Sequence, residues 1–433
     1  MNIVMVTNTY LPHVGGVARS VESFTREYRR RGHKVLVIAP EFPNQPQEEE
    51  GVIRVPAIQN FNGSDFSMVL PVPGLLGEAL DAFQPDIVHS HHPYLLGMTA
   101  LRVARYRETP LVFTHHTLYE EYTHYVPADR PLFKRFVVEL ATIYANMTDR
   151  VFAPSDSVAR LIRERGVRMP ISVVPTGVKL QDFQRGEGGL FRHSVGISQE
   201  AYVIGHVGRL APEKNLKFLA EAVAAFMLLN RYAHFLVVGE GPSEAEMRDV
   251  FHRYGLADRL HFAGQLQLPH LADAYHAMDV FAFSSQSETQ GMVLTEAMAA
   301  GVPVAALDGA GVREVVIDQE NGYLIKEPSI VEFIGALQHF GAQSRVERRR
   351  MQECARLTAE SFSLSATAEA ALRHYESLQR LAHISEPETE EQWERVLNLI
   401  KAEWNIVKGM AGAAGAAIVG GGVSSQECEQ DRG

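Results

Sequence analysis

The sequence predicts an α/β protein built on two doubly wound parallel sheets. Two observations carry that prediction. Short apolar runs alternate with amphipathic helical stretches along both halves of the 433-residue chain. Each half also opens with a strand that enters a glycine turn and then a helix: 2–6 before Gly15-Gly16, and 201–207 before Gly208-Arg209.

Composition sets the bounds. Hydrophobic residues make up 46% and charged residues 21%, enough for a sizeable core, and the length suggests two or three domains. The two cysteines, Cys354 and Cys428, form no disulfide framework or zinc pattern and point to a reducing compartment. The start 1–6 goes straight into a strand without a charged leader, and no apolar run reaches about 20 residues. The expectation is a cytoplasmic protein with no spanning helix. Net charge is −11, with the excess acid all in 175–433. That balance argues against a nucleic-acid partner. The neutral first half carries basic clusters at 26–34 and 160–168, suited to an anionic lipid surface.

In the first half, strand 2–6, a polar loop, Gly15-Gly16 and a helix over 17–31 form the anion-binding opening of a Rossmann unit. The full G-x-G-x-x-G is absent, which argues against a tightly held dinucleotide. Two adjacent glycines suit a loop that ligand phosphates pass closely; a helix-start turn without a ligand is the plainer reading. Strands follow at 34–39, 52–55, 87–89 and 111–114. The last two end in His89-Ser90-His91-His92 and in His115-His116-Thr117-Leu118-Tyr119. No carboxylate or cysteine set at ligand spacing accompanies these histidines, so no metal is predicted. Helix 130–147 has an apolar face of Phe133, Phe136, Val137, Leu140, Ile143 and Tyr144, with Lys134 and Arg135 at its start. It reads either as a membrane-surface helix or as a crossover helix on the sheet. Strands at 151–153 and 171–174 close the first sheet, and the Gly-rich 184–198 reads as a linker.

In the second half, a helix is expected near Pro212, which places Arg209 and Lys214 at its N-terminus. Two cations there oppose the helix dipole unless an anion is present, and a diphosphate would resolve the conflict. Strands follow at 234–238, 260–263, 279–284 and 303–306. After 279–284 comes Ser285-Gln286-Ser287-Glu288-Thr289-Gln290-Gly291-Met292-Val293-Leu294-Thr295-Glu296, a polar loop that runs into a helix over 292–300. Glu288 in the loop can accept from sugar hydroxyls while the Gly291 and Met292 amides face the same ring. Glu296, roughly 8 Å further along the helix, can accept from a second polyol such as a ribose. One capping and one solvated glutamate is the plainer alternative. Helical pattern resumes over 329–381.

The Glu-x7-Glu of Glu288 and Glu296, the Gly-Arg-x4-Lys of Gly208, Arg209 and Lys214, and Thr114-His115-His116-Thr117 together resemble the family 4 retaining glycosyltransferases. The resemblance covers about 1–380 and implies a GT-B architecture, two Rossmann-like domains facing across a cleft. It implies an acceptor-side domain over 1–175, a linker over 176–200 and a nucleotide-sugar-binding domain over 201–362. A helix at 363–384 is expected to pack back on the first domain. The extension 385–433 reads as an amphipathic helix, then a disordered Gly/Ala-rich tail.

The resemblance also implies roles. Gly15, Gly16, Gly208, Arg209 and Lys214 would meet the donor diphosphate. Glu288, Thr289, Gln290, Gly291, Met292 and Val293 would hold the sugar, and Glu296 the ribose. His116 would act at the acceptor, with His91, His115 and Tyr119 on the same side. It implies no metal and no cofactor. The stretch 112–122 is similar to bacterial diacylglycerol glucosyltransferases, so the donor expected is UDP-glucose and the acceptor a membrane lipid met through 130–147. GDP-mannose or a soluble sugar acceptor is the alternative within the same chemistry. A non-catalytic nucleotide-sugar-binding module, and a phosphorylase or epimerase of the same architecture, are the alternatives outside it.

Overall fold

The computed structural model describes residues 1–13, 15–58, 68–69, 76–118 and 131–381. The expectations for Tyr119 and for 385–433 lie outside these residues, as does the side chain of Phe133.

The first sheet has seven strands, all parallel. They are β1 (Asn2–Val6), β2 (Lys34–Pro40), β3 (Val52–Val55), β6 (Ile87–Ser90), β7 (Leu111–Thr114), β8 (Arg150–Ala153) and β9 (Ile171–Val173). Their order is β3-β2-β1-β6-β7-β8-β9. Between β3 and β6, β4 (Ala57–Ile58) and β5 (Met68–Val69) form a separate antiparallel pair that the sequence pattern did not suggest. The inner strands are covered on both faces, so their sequences are continuous apolar runs rather than alternating ones: Ile3 to Val6 and Val37 to Ala39 are all fully buried.

Helices α1 (Gly16–Arg30), α2 (Gly77–Phe83), α3 (Leu96–Tyr106), α4 (Pro131–Ala145) and α5 (Asp156–Glu164) make the crossovers. Helix α1 turns Ala18, Val21, Phe24 and Tyr28 inward, and its last turn is tied by Glu27 to Arg30 and Arg31. In α4, Leu140, Ala141, Tyr144 and Ala145 are buried, and the Tyr144 hydroxyl donates to the Gly97 carbonyl at 2.8 Å. The second half of α4 is thus a crossover helix, while Arg135 near its start is exposed.

The second sheet has six parallel strands in the order β12-β11-β10-β13-β14-β15. They are β10 (Tyr202–Val207), β11 (Ala233–Val238), β12 (Leu260–Phe262), β13 (Val280–Phe283), β14 (Val304–Leu307) and β15 (Gly322–Ile325). Strand β15 was not anticipated. It is a half-buried edge strand directly after a turn, too short and too polar in context to stand out. The order reverses between β10 and β13, and that crevice is where open α/β sheets bind ligands. Helices α7 (Leu216–Leu229), α8 (Glu244–Arg253), α9 (His270–His276), α10 (Met292–Ala299), α11 (Ile330–Ala342) and α12 (Arg345–Ser361) cover the faces.

The Gly-rich stretch 184–198 is not an open linker. It contains α6 (Gly188–Ser194), which packs on α9. A Cβ on Gly188 would stand 2.2 Å from the His276 carbonyl oxygen. These glycines allow close backbone packing, a use that composition cannot distinguish from flexibility.

The chain crosses between the sheets twice, and the crossings bond to each other. Val178 N–H donates to the Phe362 carbonyl at 2.9 Å, and Leu364 N–H to the Val178 carbonyl at 2.8 Å. Gly177 is required here, since a Cβ would meet Leu364 Cα at 2.2 Å. After the return crossing, α13 (Leu364–Leu381) packs on α1 and on the first sheet, with Ala368, Ala371, Leu372 and Tyr375 in one core with Phe24, Tyr28 and Phe152. Burying an aromatic side chain of this size contributes roughly 1.5–3 kcal/mol.

Candidate active site

The site lies at the carboxyl edges of the two sheets. At the second sheet, β10 leads to Gly208 and Arg209. The helix expected at Pro212 starts later: Pro212–Lys214 is a single 3-10 turn, Asn215 takes a left-handed conformation (φ 54°), and α7 begins at Leu216. Proline at a first helical position fits either kind of turn, and asparagine tolerates left-handed backbone. Lys214 therefore stands ahead of the helix. Ser284 Oγ donates to the Lys214 carbonyl at 2.8 Å and Ser287 Oγ to the Glu213 carbonyl at 3.2 Å, which fixes this turn to the loop after β13.

The charges at this turn are also arranged differently from the sequence expectation. Rather than facing a dipole alone, Arg209 pairs with Glu213 and Lys214 pairs with Glu288. No bound anion is needed to account for them. The two pairs differ in exposure. The Arg209 side chain is 48% exposed over a Glu213 that is only 6% exposed, so solvent screens the cation's end of that pair. Lys214 and Glu288 are only 17% and 19% exposed, so their bond is the stronger one to exchange.

Gly291 caps α10 with φ +70°, the left-handed region that glycine enters without a Cβ penalty. Met292 follows, and its methyl would lie 3.5 Å from a Cβ on Gly16 across the cleft. Gly15, Gly16, Gly291 and Met292 thus meet at one place; Val293 in the first turn of α10 is half-buried. Glu296 is not solvated. Its carboxylate accepts from the Tyr275 hydroxyl at 2.8 Å and pairs with Arg19 of α1 at 3.4 Å. Burial raises its pKa, against the opposing effects of Arg19 and Tyr275.

Two residues of the loop are committed to the other half of the molecule. Thr289 Oγ1 donates to the His116 carbonyl at 2.9 Å. Gln290 was expected against the donor, but its side-chain amide clasps the crossing: Oε1 accepts from Thr176 N–H at 2.6 Å, and Nε2 donates to the Thr176 carbonyl. A further bridge lies outside the site. Glu314 accepts from the N–H groups of Asp156 (2.9 Å) and Ser157 (2.6 Å) at the start of α5.

On the first-sheet side the histidines sort by strand alternation. His91 Nδ1 lies 2.9 Å from His116 Nε2 with the rings stacked, and His89 Nε2 lies 2.7 Å from Thr114 Oγ1. His89, His91, His116, Thr114 and Thr176 line a cavity against Phe24 and Ala371. His115 is buried on the opposite side, against Phe113. Burial holds His89 and His92 to about 3 and pushes His91 and His116 well below the imidazole range, so the cluster is neutral at pH 7. Arg19 and Gln290's clasp could not have been found from sequence, because each works through a partner more than a hundred positions away. Among the described residues no helix is long and apolar enough to cross a membrane.

The family model "Glycosyltransferase Family 4" matches residues 14–182, and "Glycosyl transferases group 1" matches 190–358. A GDP-mannose-dependent alpha-mannosyltransferase of Mycolicibacterium smegmatis is 30% identical over 389 residues, spanning 87% of this chain and 98% of that protein. The chain belongs to glycosyltransferase family 4. The alpha-monoglucosyldiacylglycerol synthase of Streptococcus pneumoniae is 28% identical over 330 residues, 75% of each chain. Among solved structures, Anabaena HepE in complex with UDP superposes with a TM-score of 0.71 at 19% identity, covering 87% of this chain and all of that one (100%). The architecture is GT-B, as the resemblance implied, and the chain is a glycosyltransferase.

Proposed function

We propose that this glycosyltransferase is a retaining hexosyltransferase that moves glucose from UDP-glucose to diacylglycerol. The observation that carries the donor half of the reading is the exchangeable Lys214–Glu288 pair in the switch-point crevice, with Arg209 beside it and Gly15-Gly16 opposite. An arriving diphosphate replaces Glu288 as the partner of Lys214, and Arg209 forks a second pair of oxygens. Glu288, released, accepts from a hydroxyl of the sugar. Gly291 and Met292 present backbone N–H groups to the same ring, with Thr289 and Val293 beside them. Glu296 receives the ribose.

The two cations then stabilise the charge that develops on the leaving diphosphate. The acceptor hydroxyl attacks on the face the diphosphate leaves, and a diphosphate oxygen takes its proton, so no separate base is required. Neutral His116, backed by His91, positions that hydroxyl. Closure across the Thr289–His116 and Arg19–Glu296 contacts keeps water from the sugar.

The lipid acceptor is supported by the name of the S. pneumoniae relative and by the cationic start of α4, Lys134 and Arg135, which suits docking at an anionic cytoplasmic membrane face. A second reading, transfer of mannose from GDP-mannose, is supported by the M. smegmatis relative. The test supplies UDP-glucose or GDP-mannose with diacylglycerol vesicles and identifies the product by mass, with the anomeric linkage by NMR. An α-glucosyl diacylglycerol product supports the reading; a mannosyl product moves it to the second.

A further inference from the structure

His206 is the next-to-last residue of β10, which adjoins β13 where the strand order of the second sheet reverses. The register of the two strands pairs Ile204 with Val280 and Gly205 with Phe281 and stops there. The strands part at His206 and Ala282, at the floor of the crevice. The imidazole bridges the gap, with Nδ1 3.1 Å from the Ala282 carbonyl oxygen. A carbonyl oxygen only accepts, so Nδ1 carries the proton and Nε2 presents a lone pair.

That lone pair has no hydrogen-bond partner, although the residue is only 1% exposed. A buried polar atom left so is costly and calls for an explanation. The ring stacks on Phe281 and Phe283, which fixes its direction. Burial holds its pKa to about 4, so Nε2 remains an acceptor at neutral pH. It lies 3.5 Å from where a Cβ on Gly208 would stand, and the charges of Lys214 and Glu288 both reach the ring. The lone pair thus sits beneath Gly208, at the loop that carries Arg209, and within the field of the Lys214–Glu288 pair that the donor would open.

The chemistry of Nε2 selects its partner. Phosphate oxygens at neutral pH accept and do not donate, so the diphosphate cannot satisfy it. A sugar hydroxyl can. We propose that His206 Nε2 accepts a hydrogen bond from a hydroxyl of the transferred sugar, which makes His206 a sugar-recognition residue of the donor site. This inference rests on the nucleotide-sugar reading above. The hydroxyl reaches Nε2 once the diphosphate has drawn Lys214 from Glu288.

Two variants separate this role from a structural one. His206→Asn keeps an N–H for Ala282 and removes the acceptor at the Nε2 position. His206→Gln keeps an acceptor there and gives up the bond to Ala282. Calorimetric titration of the full chain with UDP and with UDP-glucose, or with GDP and GDP-mannose if the wild type takes those, reads the difference. The Asn variant should bind the sugar-free diphosphate as the wild type does and the nucleotide sugar roughly 3- to 10-fold more weakly, the range for one neutral hydrogen bond. The Gln variant should bind both normally, while thermal unfolding shows it to be the less stable of the two. Unchanged nucleotide-sugar affinity in the Asn variant overturns the inference alone. Equal loss for diphosphate and nucleotide sugar also overturns it, because Nε2 would then serve Lys214. A wild-type chain that binds neither pair overturns the donor reading and this inference with it.

Discussion

Replacing Glu288 with glutamine should move nucleotide binding and sugar transfer in opposite directions. The Glu288 carboxylate holds the Lys214 ammonium, and both side chains are at least four-fifths buried. A diphosphate must displace that carboxylate to reach Lys214. Glutamine keeps the shape of the side chain but removes the competing charge and its repulsion of the phosphates. Exposed ion pairs are worth up to about 1 kcal/mol and hydrogen bonds to charged groups about 1.5–3 kcal/mol. For a pair at this exposure, about 1–2 kcal/mol is the reasonable figure, so Glu288→Gln should tighten UDP binding by roughly 5- to 30-fold. Transfer should nevertheless fall by about tenfold or more, because the sugar loses a charged acceptor. Calorimetry with UDP and initial rates with the full donor give the two numbers. UDP binding that is unchanged or weaker in the variant would refute the exchange, and with it the assignment of Lys214 to the diphosphate.

Four further predictions follow from the same geometry. Arg209→Ala and Lys214→Ala should each lower transfer by on the order of 10²-fold or more with the fold intact, as checked by circular dichroism and single-turnover rates. Glu296→Gln should weaken nucleoside diphosphate binding through the ribose. Its folded pKa is raised, so the cost of burying the charge appears as pH rises through that pKa; the variant's melting temperature should equal the wild type's near pH 4 and match or exceed it at pH 7. His92 Nδ1 accepts from Asn8 N–H at 3.1 Å, and its folded pKa of about 3 lies below the unfolded value of about 6.5. Stability from this group is therefore complete above pH 6.5 and lost as pH falls toward 3, at up to about 1.4 kcal/mol per pH unit, and His92→Asn should lessen the fall in melting temperature between pH 7 and pH 5. Gln290→Ala should loosen the crossing at Thr176 and Glu314→Ala should free the start of α5, each at a cost of about 1–3 kcal/mol, read as a lower denaturant midpoint.

What was legible in the sequence was whatever shows in local pattern. Continuous apolar runs marked the buried strands, and Gly-Arg-x4-Lys with Glu-x7-Glu marked the loops at their ends. The pattern failed where an element is half-buried, as at β15, or where one residue type serves two ends. Gly186 and Gly188 read as flexible yet serve close packing. Pro212 read as the start of a helix yet sits in a 3-10 turn. The partners of the site charges were hidden for a different reason. Glu296 meets Arg19 and Gln290 meets Thr176 only because the two halves face each other, and Glu288 meets Lys214 because the loops after β10 and β13 are neighbours at the edge of the second sheet, so each pairing is a property of the tertiary fold. His206 drew no notice, since a lone histidine inside an apolar strand is usually a core residue; only its unpartnered Nε2 distinguishes it.

The most direct test of the account is product analysis. The purified chain is incubated with UDP-glucose and with GDP-mannose, each with diacylglycerol in anionic or neutral vesicles at low and high salt. The expected product is an α-linked glucosyl diacylglycerol from UDP-glucose, formed faster on anionic vesicles, with that advantage shrinking as salt rises. A product of inverted anomeric configuration, or no glucosyl diacylglycerol from UDP-glucose under any of these conditions, would contradict the proposal.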